Sequence, residues 1–108
     1  MTDNDAVARL RALCGGLRDG ALLRVLLANA LIAASDRSAA IDELRRALGF
    51  DADYSAAWKL LGKTLAESGD AAGAADAFER GIDAANKRGD KQAQKEMQVF
   101  LKRLQKPQ

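Results

Sequence analysis

The chain has 108 residues and a mass of 11.5 kDa, with 48% hydrophobic and 30% charged residues and a formal net charge of +2. This is the balance of an ordinary globular domain, too apolar for a disordered chain and too short to house a second, catalytic domain. It has no histidine and one cysteine, Cys14, which excludes Ser-His-Asp and Cys-His nucleophiles, most zinc sites and any intrachain disulfide.

Alanine makes up about a fifth of the sequence, proline occurs once and aromatics account for 5%, so helix is favoured throughout and strands are starved. Breakers at Gly15-Gly16, Ser35-Asp36, Gly49 to Asp53, Gly69-Asp70 and Gly89-Asp90 leave segments of roughly 11 to 17 residues, which predicts an all-α chain of about six helices. The opening stretch Met1 to Asp5 is acidic where an export signal would be basic, and no apolar run approaches the roughly 20 residues of a membrane span, so a cytoplasmic protein is expected. Cys14 sits at the end of the first helix beside Gly15-Gly16 and reads as a small apolar residue, with nothing beside it to activate a thiol. Gly15, Gly16 and Gly20 read as turn residues, since no strand precedes them and no phosphate-loop pattern follows. Asp19, Asp36, Asp53, Asp70 and Asp90 stand at the starts of the next five helices, where each carboxylate is expected to accept free backbone N–H groups.

The segment Ala21 to Ala34 is apolar nearly all round its helix, which implies either complete burial or a face reserved for a partner. The last helix, about 90 to 106, carries Ala93, Met97, Phe100, Leu101 and Leu104 as an amphipathic stripe. From Lys87 onward there are seven basic and two acidic residues. Without stacking aromatics or a groove-reading motif, these cations suit a solvated helix end better than nucleic-acid binding.

Asp19 and Asp53, and likewise Asp36 and Asp70, are 34 residues apart, the period of a helix-turn-helix solenoid. Superposing 21–54 on 55–88 pairs Leu26 with Leu60, Leu27 with Leu61, Leu31 with Leu65, Ala40 with Ala74 and Arg46 with Arg80. The run Trp58-Lys59-Leu60-Leu61-Gly62, followed by Leu65, Ala74 and Phe78, resembles the tetratricopeptide repeat pattern W-x2-L-G-x2-Y then A-x3-F. The first unit is a weaker version, with Arg24 at the tryptophan position, Ala28 at the glycine and Leu31 at the tyrosine. The resemblance implies a right-handed α-solenoid of antiparallel helix pairs. Residues 21–54 and 55–88 would be repeats, 5–14 an N-terminal capping half-repeat and 90–106 a C-terminal amphipathic cap.

The family binds partners in a concave groove made by the first helix of each repeat, and the resemblance places Leu22, Val25, Asn29 and Ile32 there from the first unit. Lys59, Lys63 and Glu67 would follow from the second, giving a groove apolar at one end and basic at the other, suited to an amphipathic or acidic protein segment. Lys63 is placed to pair with Glu67 one turn on. Of the residue set that grips chaperone tails in some members, only Asn29 is matched, which disfavours that ligand. The expected role is a non-enzymatic adaptor without cofactor, metal or catalytic residue. Two alternatives stand beside it: a homo-oligomer using the same apolar face, and a nucleic-acid- or ribosome-associated accessory protein using the basic C-terminal helix.

Overall fold

The computed structural model describes residues 2–106. These residues form six helices and no strand: α1 (Asp3–Arg11), α2 (Ala21–Ala33), α3 (Arg37–Phe50), α4 (Ser55–Glu67), α5 (Ala71–Arg88) and α6 (Lys91–Gln105). Consecutive helices pack as antiparallel neighbours, α2 on α3, α4 on α5 and α5 on α6, with α1 against α2 and α3 against α4. The result is a right-handed α-solenoid with a Cα radius of gyration of 13.9 Å.

The turns that fold one helix back on the next share one design. Ser35, Gly69 and Gly89 take φ values of 63°, 87° and 70°, the left-handed conformation that ends a helix and reverses the chain. In each turn the following aspartate donates its N–H to a carbonyl five residues back: Asp36 to Leu31, Asp70 to Leu65 and Asp90 to Ala85, at 2.8 to 2.9 Å. The same aspartate then caps the next helix, accepting the N–H of Ala39, Gly73 or Ala93 at 2.8 to 3.1 Å. One residue thus closes a helix and opens its successor.

Asp19 and Asp53 depart from the expected capping role. α2 starts behind Gly20 and α4 behind Tyr54, neither with a side-chain cap. Each aspartate lies one position too early to reach the free N–H groups and bonds elsewhere. Asp53 pairs with Lys87 at 3.8 Å, next to Asp51, which receives both terminal nitrogens of Arg88 at 2.6 and 2.8 Å. The Trp58 indole N–H closes the same connection by donating to the Ala52 carbonyl at 2.8 Å.

Small residues let the helix backbones approach, and larger ones fill the spaces beyond. Ala28, Ala40, Ala47, Ala57 and Ala74 have no exposed surface, and Leu27, Leu44, Leu61, Phe78 and Met97 are the largest fully buried side chains. At Gly62 a Cβ atom would lie 2.5 Å from the Phe78 ring, so only glycine admits that ring against α4. Phe78 stacks in turn on Phe100 of α6, with centroids 5.5 Å and planes 15° apart. The α6 stripe therefore packs onto the preceding helix pair: Ala93 and Met97 are buried, and Phe100, Leu101 and Leu104 lie half-buried on the core. Cys14 is half-buried too, its thiol directed at the Leu10 carbonyl at 3.7 Å.

Candidate protein-interaction face

α2, α4 and α6 lie in one layer with α4 in the middle. α4 touches both of its neighbours, whereas α2 and α6 make no contact among the described residues. Neither α1 nor α6 covers the outward stripe of α2, where Leu22 and Leu26 are 60% and 46% exposed and Asn29 and Ala33, on the same side, are exposed as well. Of the apolar residues expected on this face, Leu22 is there and Ile32 is half-buried against the core. Val25 is not: at 8% exposure it belongs to the buried cluster, because α1, α3 and α4 all pack on α2 and leave only one stripe free.

On α4 the three expected residues are drawn into contacts with other helices. Lys59 is half-buried and forms an ion pair with Glu96 of α6 at 3.0 Å, which relieves its repulsion from Lys63. Glu67 pairs with Arg37, at the start of α3, at 3.3 Å. The expected Lys63–Glu67 pair is thus absent, and the Lys63 ammonium lies 5.6 Å from the Phe100 ring centroid instead. Lys63 and Glu67 line a pocket of about 260 Å³ together with Ala66, Phe78, Phe100, Arg103 and Leu104. Leu26, Phe100 and Arg103 are the members of this surface that the repeat pattern alone does not supply. The apolar stripe of α6 at helical spacing was the available signal for Phe100.

Behind α2 lies a cluster of charges. The Arg24 guanidinium donates from Nε and Nη2 to Asp19 at 2.9 and 2.7 Å, and from Nη1 to Glu43 of α3 at 2.8 Å. The second Glu43 oxygen accepts from Arg46. The side chains of Arg24, Asp19 and Glu43 are only 14%, 10% and 3% exposed. Asp19 also accepts the N–H groups of Gly15 and Gly20, which ties the 12–20 connection to the start of α2. The Arg24 hydrogen bonds, followed by that from Gly15, hold the Asp19 carboxyl down at about 2, while Asp19 and then Glu43 push the Arg24 guanidinium above its ordinary range.

A carboxyl depressed on folding stabilises the native state fully above its unfolded value, here 3.8, and loses that contribution as pH falls toward 2. Thermal melts at several pH values should therefore show an acid-induced drop between about pH 4 and pH 2 that is smaller in Asp19→Asn. Equal drops in the two proteins would deny Asp19 this role.

The described residues hold no cluster of three or more His, Cys, Asp or Glu placed for a metal ion, and no helix is long and apolar enough to cross a membrane.

No family model matches the sequence. A protein of Pseudomonas aeruginosa named TPR repeat-containing protein PA0015 is 49% identical over 86 residues, covering 80% of this chain and 82% of the relative. The solution structure of protein BPP2914 from Bordetella parapertussis superposes with a TM-score of 0.77 at 49% identity, over 91% of this chain and 85% of the other. The crystal structure of MamA protein matches with a TM-score of 0.70 at 23% identity over 94% of this chain and 62% of that one, a likeness of fold. With the Trp58 to Phe78 motif set on stacked helix pairs, and half of the residues shared along most of a relative bearing the repeat's name, the chain belongs to the tetratricopeptide repeat family.

Proposed function

We propose that the protein is a non-enzymatic interaction module that binds a peptide or helix of another protein across α2, α4 and α6. In this reading residues 21–54 and 55–88 are the repeats, and α1 and α6 are flanking helices that cover their outer apolar faces. The reading rests chiefly on the uncovered leucines of α2. Leu22 and Leu26 are large, exposed and adjacent on one helical stripe, where each remains hydrated until a partner covers it, at about 25 cal/mol per Å² removed from water. Asn29 on the same side would orient a polar group, and Lys63 would favour an anionic one. The lone thiol and the absence of cystine bridging suit a reducing compartment such as the cytoplasm.

A second reading, self-association through the same surface, draws on the same exposed leucines, Leu22 and Leu26.

The test pairs wild type with a Leu22→Glu/Leu26→Glu variant. Amphipathic peptides selected from a displayed library on wild-type protein should bind the variant at least about tenfold more weakly, with helical circular dichroism unchanged. Undiminished binding to a folded variant would reject this face. Light scattering on both proteins decides the second reading, which requires a wild-type dimer that the variant dissociates.

A further inference from the structure

The pocket between α4 and α6 has features that the repeat architecture does not require. Its walls are carbon-rich: Ala66, the edge of buried Phe78, and Phe100 and Leu104 of the α6 stripe. At its rim stand two cations, with Lys63 Nζ 5.6 Å and Arg103 Cζ 6.0 Å from the centroid of the same Phe100 ring. Neither cation has a carboxylate within 4 Å among the described residues, whereas Lys59, one turn before Lys63 on α4, is paired with Glu96 and Arg37 with Glu67. Glu67, the one acid lining the pocket, is already turned to Arg37.

A volume of about 260 Å³ falls below the roughly 300 to 1,000 Å³ typical of pockets for drug-sized ligands or cofactors. It suits one or two side chains of a docked segment. Both cations lie close to one ring, so a carboxylate drawn to them would sit within a residue or two of whatever occupies the apolar floor.

We infer that this pocket is an anchor for an internal acidic-apolar segment of a partner protein, one leucine-sized side chain filling the space between Phe78, Phe100 and Leu104 and a neighbouring Asp or Glu meeting Lys63 and Arg103. The inference rests on the proposed interaction face and adds the partner's chemistry: an anionic segment with an aliphatic anchor. Charge complementarity selects it. An uncharged apolar segment would leave two cations desolvated at the rim, and a basic one would meet them with repulsion.

The probe is the blocked tripeptide acetyl-Glu-Leu-Glu-amide, titrated into ¹⁵N-labelled full chain at low salt. Saturable shifts of the Ala66, Phe100 and Leu104 amides are expected. Acetyl-Gln-Leu-Gln-amide and acetyl-Glu-Ser-Glu-amide should each bind about tenfold more weakly. Lys63→Gln and Arg103→Gln should each cost about threefold for the acidic peptide and leave the Gln peptide unaffected. Ala66→Leu should abolish the shifts by filling the space, and if that variant does not fold, the two charge variants still decide. Equal binding of the Glu and Gln peptides, or indifference to both charge variants, would overturn the anchor. Tighter binding of acetyl-leucine than of the tripeptide would overturn the internal segment in favour of a free chain terminus. Shifts confined to Leu22, Leu26 and Asn29 would reject the pocket while upholding the wider face. Binding of library-selected peptides that spares all these positions would reject the face itself.

Discussion

Truncating Phe78 to alanine is expected to remove about 3–5 kcal/mol of stability, a large part of the roughly 5–15 kcal/mol that holds a domain together. The ring is 1% exposed, sits against Gly62 of α4 and stacks on Phe100 of α6, so it joins three helices at once. Its removal leaves a cavity that can close only if α4, α5 and α6 all shift. The urea midpoint of unfolding, with the slope unchanged, reads the effect. A loss below about 1 kcal/mol would mean that the helices collapse onto the gap and that the ring does not join α4, α5 and α6. Gly62→Ala tests the same contact from the other side. Alanine should gain about 1 kcal/mol of helix propensity, but its methyl group would meet a ring that cannot retreat. Overpacking of this kind costs about 1–3 kcal/mol, so the net change is expected to be neutral to unfavourable where an exposed helical glycine would give a gain.

Glu43→Ala is the second large loss expected, about 3 kcal/mol, because removing one member of a buried charge group leaves the others uncompensated. Glu43 is 3% exposed and accepts from both Arg24 and Arg46. Arg46 is free to swing into water, but Arg24 is pinned at 14% exposure and would keep only Asp19. The informative comparison is with Arg24→Leu/Glu43→Leu. Taking out both charges removes the penalty that each single change exposes, so the double variant should lose less than the sum of Arg24→Leu and Glu43→Leu by about 1–3 kcal/mol. Strict additivity in chemical denaturation would show that the two side chains are energetically independent despite their 2.8 Å contact.

The helices and their turns were legible because the signals that make them are local. Asp36, Asp70 and Asp90 each follow a residue that can turn left-handed, and their capping depends on atoms a few positions away. Asp19 and Asp53 look alike in sequence, and a one-residue offset of the helix start changed what their carboxylates bind. Gly20, directly after Asp19, was the available clue. The interaction face was legible by residue type and less so by pairing. Lys63 and Glu67 lie one turn apart on α4, yet each finds a nearer or better-placed neighbour on another helix, in Phe100 and Arg37. Helical spacing carries no information about such neighbours. Val25 was lost to the core for the same reason, since what covers α2 is decided by three other helices. Buried Glu43 did have a trace in the sequence: an arginine at the tryptophan position of the first unit needs an acid within reach, and α3 supplies it.

The positions 34 residues beyond Arg24 and Glu43 are Trp58 and Ala77. The first helix pair is thus joined by an ionic contact where the second has a large aromatic residue and a small apolar one, and the two parts of the stack answer to different solvents. Acid weakens the attachment around α2, whereas cooling or urea acts on the apolar core that runs from α2 through α6. In a solenoid, where each element leans only on its neighbours, such unlike seams part separately. The leucine stripe and the pocket stand on opposite sides of that division, so acid between about pH 4 and pH 2 loosens the support of the leucine stripe before that of the pocket beside Phe100.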